Sequence, residues 1–115
     1  MTPPKSLGEV TLPFGDGEYT FNLTWELACS WERDNGRSLF STFNQMVQAR
    51  AAMLIDIRSI LHLGLVGGGM TPIEATSKVK TWVENRPIAE SMPTVLTVVE
   101  SFLFGTDKDV DTADG

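Results

Sequence analysis

The stretch Gly64-Leu65-Val66-Gly67-Gly68-Gly69-Met70-Thr71-Pro72 puts four glycines into six residues, just before a helix start. Glycine-rich turns of this kind cradle phosphates when their backbone N–H groups converge on the anion. That chemistry needs more than glycine. A Walker loop follows a strand and supplies Lys and then Ser/Thr, and a dinucleotide fingerprint follows a strand inside a βαβ unit. Here the preceding residues read as helix, and Gly69 is followed by Met-Thr-Pro with no lysine. The stretch reads instead as a helix end and a tight connection, because glycine is preferred where a helix closes in the left-handed conformation. Gly64, Gly67, Gly68 and Gly69 are the expected hinge between the two halves of the chain.

The remaining reactive side chains are sparse. His62 is the only histidine, and no serine or cysteine partner for it can be read from the sequence. A surface or interface role suits it better than acid/base work. Cys29, the only cysteine, has Glu26 and Glu32 one turn away on either side, whereas a reactive thiol needs an electropositive setting. It reads as a small residue on a helix face. Glu26, Glu32 and Asp56 are too scattered to pair from sequence alone. The run Asp107-Lys108-Asp109-Val110-Asp111 starts like a calcium loop, but it lacks glycine at the sixth position and the sequence stops before the twelfth. The expectation is a noncatalytic protein with no metal and no cofactor.

Composition narrows the partners. With 115 residues and 42% hydrophobic content, the chain can build one core and is too apolar for disorder. No apolar run approaches the about 20 residues that span a bilayer, and the start Met1-Thr2-Pro3-Pro4-Lys5 does not lead into a signal peptide. The single cysteine suits a reducing compartment. A net charge of −6, with Arg50, Arg58, Lys78, Lys80 and Arg86 dispersed, opposes binding to a phosphate backbone. No nucleic acid and no membrane are expected as partners.

The periodicities predict an α+β fold, mostly α. Residues 1–7 read as a loose arm, residues 8–105 as a single globular domain, and residues 106–115 as an acidic disordered tail. Val10, Leu12 and Phe14 alternate along one strand and Tyr19, Phe21 and Leu23 along the next, with Gly15-Asp16-Gly17 as the turn. This hairpin, within residues 8–23, must pack on helices, since two strands alone are marginal. From residue 24 the period becomes helical, and a bundle of about four to five helices is expected. Thr24 and Ser38 are N-cap candidates, and Asn35-Gly36 is a C-terminus. Ala51 to Leu65 is the strongest apolar helix. Thr71-Pro72-Ile73-Glu74 is a capping box with proline at the first helical position, opening a helix to about Asn85. A last helix runs from about Ile88 to Gly105.

In that order of elements, Leu27-Ala28-Cys29-Ser30-Trp31-Glu32 leads to Gly36-Arg37-Ser38-Leu39. A long helix, Asp56-Ile57-Arg58-Ser59-Ile60-Leu61-His62-Leu63-Gly64-Leu65, then runs into the glycines and Thr71-Pro72-Ile73-Glu74-Ala75. This resembles the small tail proteins of gene transfer agents and related tailed phages, classed as tail assembly chaperones, over about Gly8 to Gly105. The resemblance implies a noncatalytic assembly factor that binds the tape-measure protein and helps recruit tail-tube subunits. It further implies action in the cytoplasm of a bacterial host and absence from the mature particle.

Such a factor covers exposed apolar helical stripes with an apolar groove of its own. Aromatic and methionine side chains suit that task. The candidate contacts are Trp25, Trp31, Phe40, Phe43, Met46 and Met53, although the plainer expectation is that most of them are core. Homo-oligomerisation stays open. The competing reading is a small helical regulatory adaptor or antitoxin-like binding module; a hydrolase or nucleotide-binding enzyme stands far behind both.

Overall fold

The computed structural model describes residues 8–105; the expected N-terminal arm and acidic tail lie outside the described residues. Two strands open the fold, β1 (Glu9–Phe14) and β2 (Gly17–Asn22). Five α-helices follow: α1 (Trp25–Asn35), α2 (Leu39–Ala49), α3 (Leu54–Gly67), α4 (Pro72–Val79) and α5 (Met92–Phe104). The α4 helix runs directly into a π-helical turn, Lys80–Glu84, and a short 3-10 turn, Ile88–Ser91, precedes α5. The fold is α+β and mostly α, as the periodicities predict.

The hairpin pairs Val10 with Phe21 and Leu12 with Tyr19, so the alternating apolar residues of both strands share one face. Gly15 takes φ 63° and Asp16 does not take a positive φ, the pattern of a two-residue type II′ turn. Pro13 has no N–H and faces Glu18, so that pair is not a hydrogen-bonded one. Bonded and unbonded pairs alternate along an antiparallel ladder. Thr11/Thr20 and Glu9/Asn22 are therefore unbonded too, and the carbonyls of Thr20 and Asn22 point away from β1.

Helix α3 covers that outward edge. A Cβ on Gly67 would overlap the carbonyl oxygen of Asn22, and one on Gly68 would overlap that of Thr20. At Gly64 a Cβ would lie 3.1 Å from the Phe21 ring and 3.3 Å from Val98. The glycines let the helix C-terminus rest against strand backbone, which shields an edge that would otherwise invite another chain. This revises the expected hinge. Gly64, Gly67 and Gly68 are close-contact residues at ordinary φ, and only Gly69, at φ 115° with open space around it, keeps the freedom of a joint. Phosphate binding loses its geometry as well, because a helix and not a strand precedes the stretch.

The core lies around α3. Its Ile57, Ile60, Leu61 and Leu65 pack with Phe21 and Leu23 of the hairpin, Val95, Val98 and Val99 of α5, and Val79 and Val83. The helix ends follow the sequence signals. Thr24 accepts from the Leu27 N–H at 3.2 Å, Ser38 from the Ser41 N–H at 3.0 Å, and Thr71 from the Glu74 N–H at 3.2 Å. Gly36 closes α1 in the left-handed conformation. Two boundaries differ from expectation. Helix α3 starts at Leu54 rather than Ala51, because Arg50 takes φ 52° and turns the chain after α2. The α4 helix does not stay α-helical to Asn85 but widens at Lys80, where the Asn85 N–H reaches back five residues to the Lys80 carbonyl at 3.2 Å.

Candidate functional site

Three of the six candidate contact residues are interior. Trp31, Phe43 and Met46 are buried, and the expectation for them is corrected to core. Trp31 shows why. Its ring lies under the Arg37 guanidinium, 5.4 Å from the centroid, and its Nε1–H donates to Ser59 Oγ at 2.9 Å. Arg37 in turn grips Asp56 with two parallel hydrogen bonds of 2.8 and 2.6 Å. Asp56 is buried, and this paired fork is what its charge requires there. The group ties α1, the α1–α2 connection and α3 together. Glu32 adds a further tie, accepting the Leu39 N–H at 2.7 Å at the start of α2.

The other three candidates reach the surface. Trp25 opens α1 and is 74% exposed. Phe40 stands against Phe104 of α5 with ring centroids 5.7 Å apart, edge to face. Met53 stands at the start of α3, where Leu54 and Ile55 continue it. The three are 57%, 64% and 45% exposed. Three large apolar side chains in a row at the surface are not accounted for by folding, since scattered exposed residues are normal but contiguous ones mark contact sites.

Grooves run on both sides of this ridge. Met53 and Asp56 line a groove on one side of the start of α3, and Ile55 and Arg58 line one on the other. On the first side is a groove of ≈ 410 Å³ lined by Met46, Ala49, Ala51, Ala52, Met53 and Arg37 among others. On the second, a cavity of ≈ 420 Å³ is lined by Leu54, Ile55, Arg58, Val83, Glu84, Arg86 and Ile88. It shares Ile55, Arg58 and Glu84 with a neighbouring one of ≈ 500 Å³ that extends along α3 to His62 and Leu63 and is closed by Trp31, Asp34 and Asn35 at the end of α1 and by Thr76 and Val79 of α4, so the two form one cleft along α3.

Leu54 and Ile55 were missed as surface residues for a definite reason. Leu54 is three residues before Ile57 and seven before Leu61, which puts it on the buried stripe of the helix. The first turn of α3 extends past the elements that cover the rest of that stripe. The break at Arg50-Ala51-Ala52 is the only local signal of it.

The polar groups in the cleft are arranged for structure. Thr76 Oγ donates to the Pro72 carbonyl at 2.9 Å, so His62 Nε2 at 3.1 Å is the donor to that hydroxyl. His62 thus links α3 to α4. Cys29 is half-buried in α1. Among the described residues no group of His, Cys, Asp or Glu is placed to hold a metal ion, and no helix is long and apolar enough to cross a membrane.

A family model described as phage tail tube protein, GTA-gp10, matches residues 7–105. No curated protein and no solved structure matches the chain. The family match covers the hairpin, all five α-helices, the π turn and the exposed ridge. The chain belongs to the phage tail tube protein family of gene transfer agents, GTA-gp10.

Proposed function

We propose that this chain is a noncatalytic tail assembly chaperone that binds the tape-measure protein and helps bring tail-tube subunits to it. The observation that carries this reading is the ridge Met53-Leu54-Ile55, exposed between two apolar grooves at the start of α3. A tape measure presents long apolar helical stripes until the tube encloses it. A small protein with an exposed apolar ridge can cover such stripes transiently, in the way helices lie in grooves. The scarcity of reactive groups fits a role without chemistry, and membership of a tail family favours this reading over a regulatory adaptor or an antitoxin-like module.

The family description favours a second reading, in which the chain is itself a component of the tail tube. The two separate on the composition of purified particles. A chaperone acts in the bacterial cytoplasm and is absent from the finished particle, whereas a tube component is present in many copies. Co-expression with a tape-measure protein of the same tail system tests the chaperone role directly: co-purification and a gain in tape-measure solubility are expected.

A further inference from the structure

We infer that the residues before Gly8 strap back over the end of α5, with Pro3 and Pro4 seated on the exposed rings of Phe40 and Phe104. The strap is independent of the chaperone role and of the ridge at the start of α3.

The patch it covers is apolar and open. Phe40, near the start of α2, is 47% exposed, and Phe104, the last residue of α5, is 59% exposed. Phe104 also meets Phe43, with ring centroids 6.0 Å apart, so both helices contribute to one surface. Val47, seven residues after Phe40 and so on the same stripe of α2, is exposed too. Contiguous apolar side chains of this size mark a contact site.

The course of the chain selects the occupant. Strand β1 runs antiparallel to α5. Phe14 and Gly15 at its far end line a cavity with Ser91 and Thr94, where α5 begins. At its near end Gly8 is buried, and a Cβ there would lie 3.4 Å from the Cα of Phe102. The direction of β1, continued backward past Gly8, therefore points along α5 toward Phe104. The Cα of Phe104 is about 5 Å from that of Phe102 on the helix. At about 3.1 Å per residue of extended chain, Pro4 can reach about 12 Å from Gly8 and Pro3 about 16 Å. That is enough to place both on the pair of rings, whose centroids are 5.7 Å apart.

The composition of the segment suits the site. In Thr2-Pro3-Pro4 each proline fixes its own φ and biases the residue before it toward extended backbone. Little entropy is then lost on docking, which is why polyproline segments pair with aromatic surfaces. Lys5 is the only charged side chain in residues 1–7. Glu100, exposed one turn before Phe104 on the same side of α5, is the only charged residue of that helix. The residues after Gly105 also start at this patch, but they bring four aspartates and a single large apolar side chain, Val110. They are the wrong chemistry to cover phenylalanine.

The test is nuclear Overhauser spectroscopy on the full chain with proline and phenylalanine isotopically labelled. Contacts are expected from the Pro3 and Pro4 ring protons to the Phe40 and Phe104 rings, within one molecule, and Phe104→Ser should abolish them. Pro3→Ser combined with Pro4→Ser changes only residues outside the described fold. It should move the Phe40 and Phe104 ring resonances and leave those of the buried Phe14 and Phe21 in place. A sample mixed from differently labelled chains separates the sources: contacts found only between molecules would overturn the inference in favour of a second copy's segment. Absence of proline–ring contacts in the wild-type chain, contacts that persist in Phe104→Ser, or ring resonances indifferent to the proline replacements would overturn it as well.

Discussion

A methyl group at Gly67 or Gly68 has nowhere to go, because the strand carbonyls of Asn22 and Thr20 occupy its place. Both glycines have φ values that alanine accepts, so the cost is steric, and the entropy gained by replacing glycine offsets only part of it. Gly67→Ala and Gly68→Ala should each destabilise the fold by about 2 kcal/mol, in the range of overpacking, read from chemical denaturation. Gly69→Ala meets open space and strains only the backbone. Composition marks these glycines as special but does not say whether glycine serves a positive φ or a close approach. That distinction depends on β2, more than forty residues earlier in the chain, and so it was not legible locally. The same holds for Arg37 and Asp56. Arg37→Met would leave a buried carboxylate without its partner and should lower the thermal midpoint far more than Arg86→Met, which breaks an exposed pair.

At the scale of elements, helix starts and stops were legible because they are local. The hydroxyls of Thr24, Ser38 and Thr71 cap helices as their positions suggest, and Gly36 ends one. The π turn was not legible, since one extra residue in a helical turn leaves the apolar pattern nearly unchanged. The exposed first turn of α3 was hidden by its own periodicity. The seating of the hairpin on α4 is a third long-range feature. Tyr19 donates to Asp16, and Lys78 lies 3.5 Å from the Asp16 carboxylate and 5.1 Å over the Tyr19 ring. The Tyr19 hydrogen bond, with help from Lys78, holds the Asp16 carboxyl below its ordinary value. Its contribution is therefore present above the unfolded carboxylate pKa and is lost as pH falls through the lowered folded value. Lys78 is raised, first by Tyr19, so its contribution is present below the unfolded lysine pKa and is lost as pH rises through the higher folded value. At neutral pH both are charged. Amide exchange in residues 15–20 should accelerate, relative to the α3 core, on acidification below about pH 4, and Asp16→Asn should remove that pH dependence.

For the whole molecule, the fold class and the tail family were within reach of the sequence, because element order and motif spacing survive without knowledge of contacts. The binding surface was only half within reach. Of the aromatic and methionine candidates, Trp31, Phe43 and Met46 went to the core, while Leu54 and Ile55 emerged beside Met53 at the surface. Side-chain type alone cannot separate an interior anchor from an exposed one when both lie on the same helical stripe. What the assembled molecule adds is a place, the start of α3, where exposed apolar side chains and grooves coincide. The most direct test is co-expression of the full chain, wild type and Leu54→Gln, with a tape-measure protein of the same tail system. The chaperone role predicts that the wild-type chain co-purifies with the tape measure and keeps it soluble, and that Leu54→Gln folds normally but loses most of the capture. A tape measure that stays insoluble and does not co-purify with the wild-type chain would contradict it.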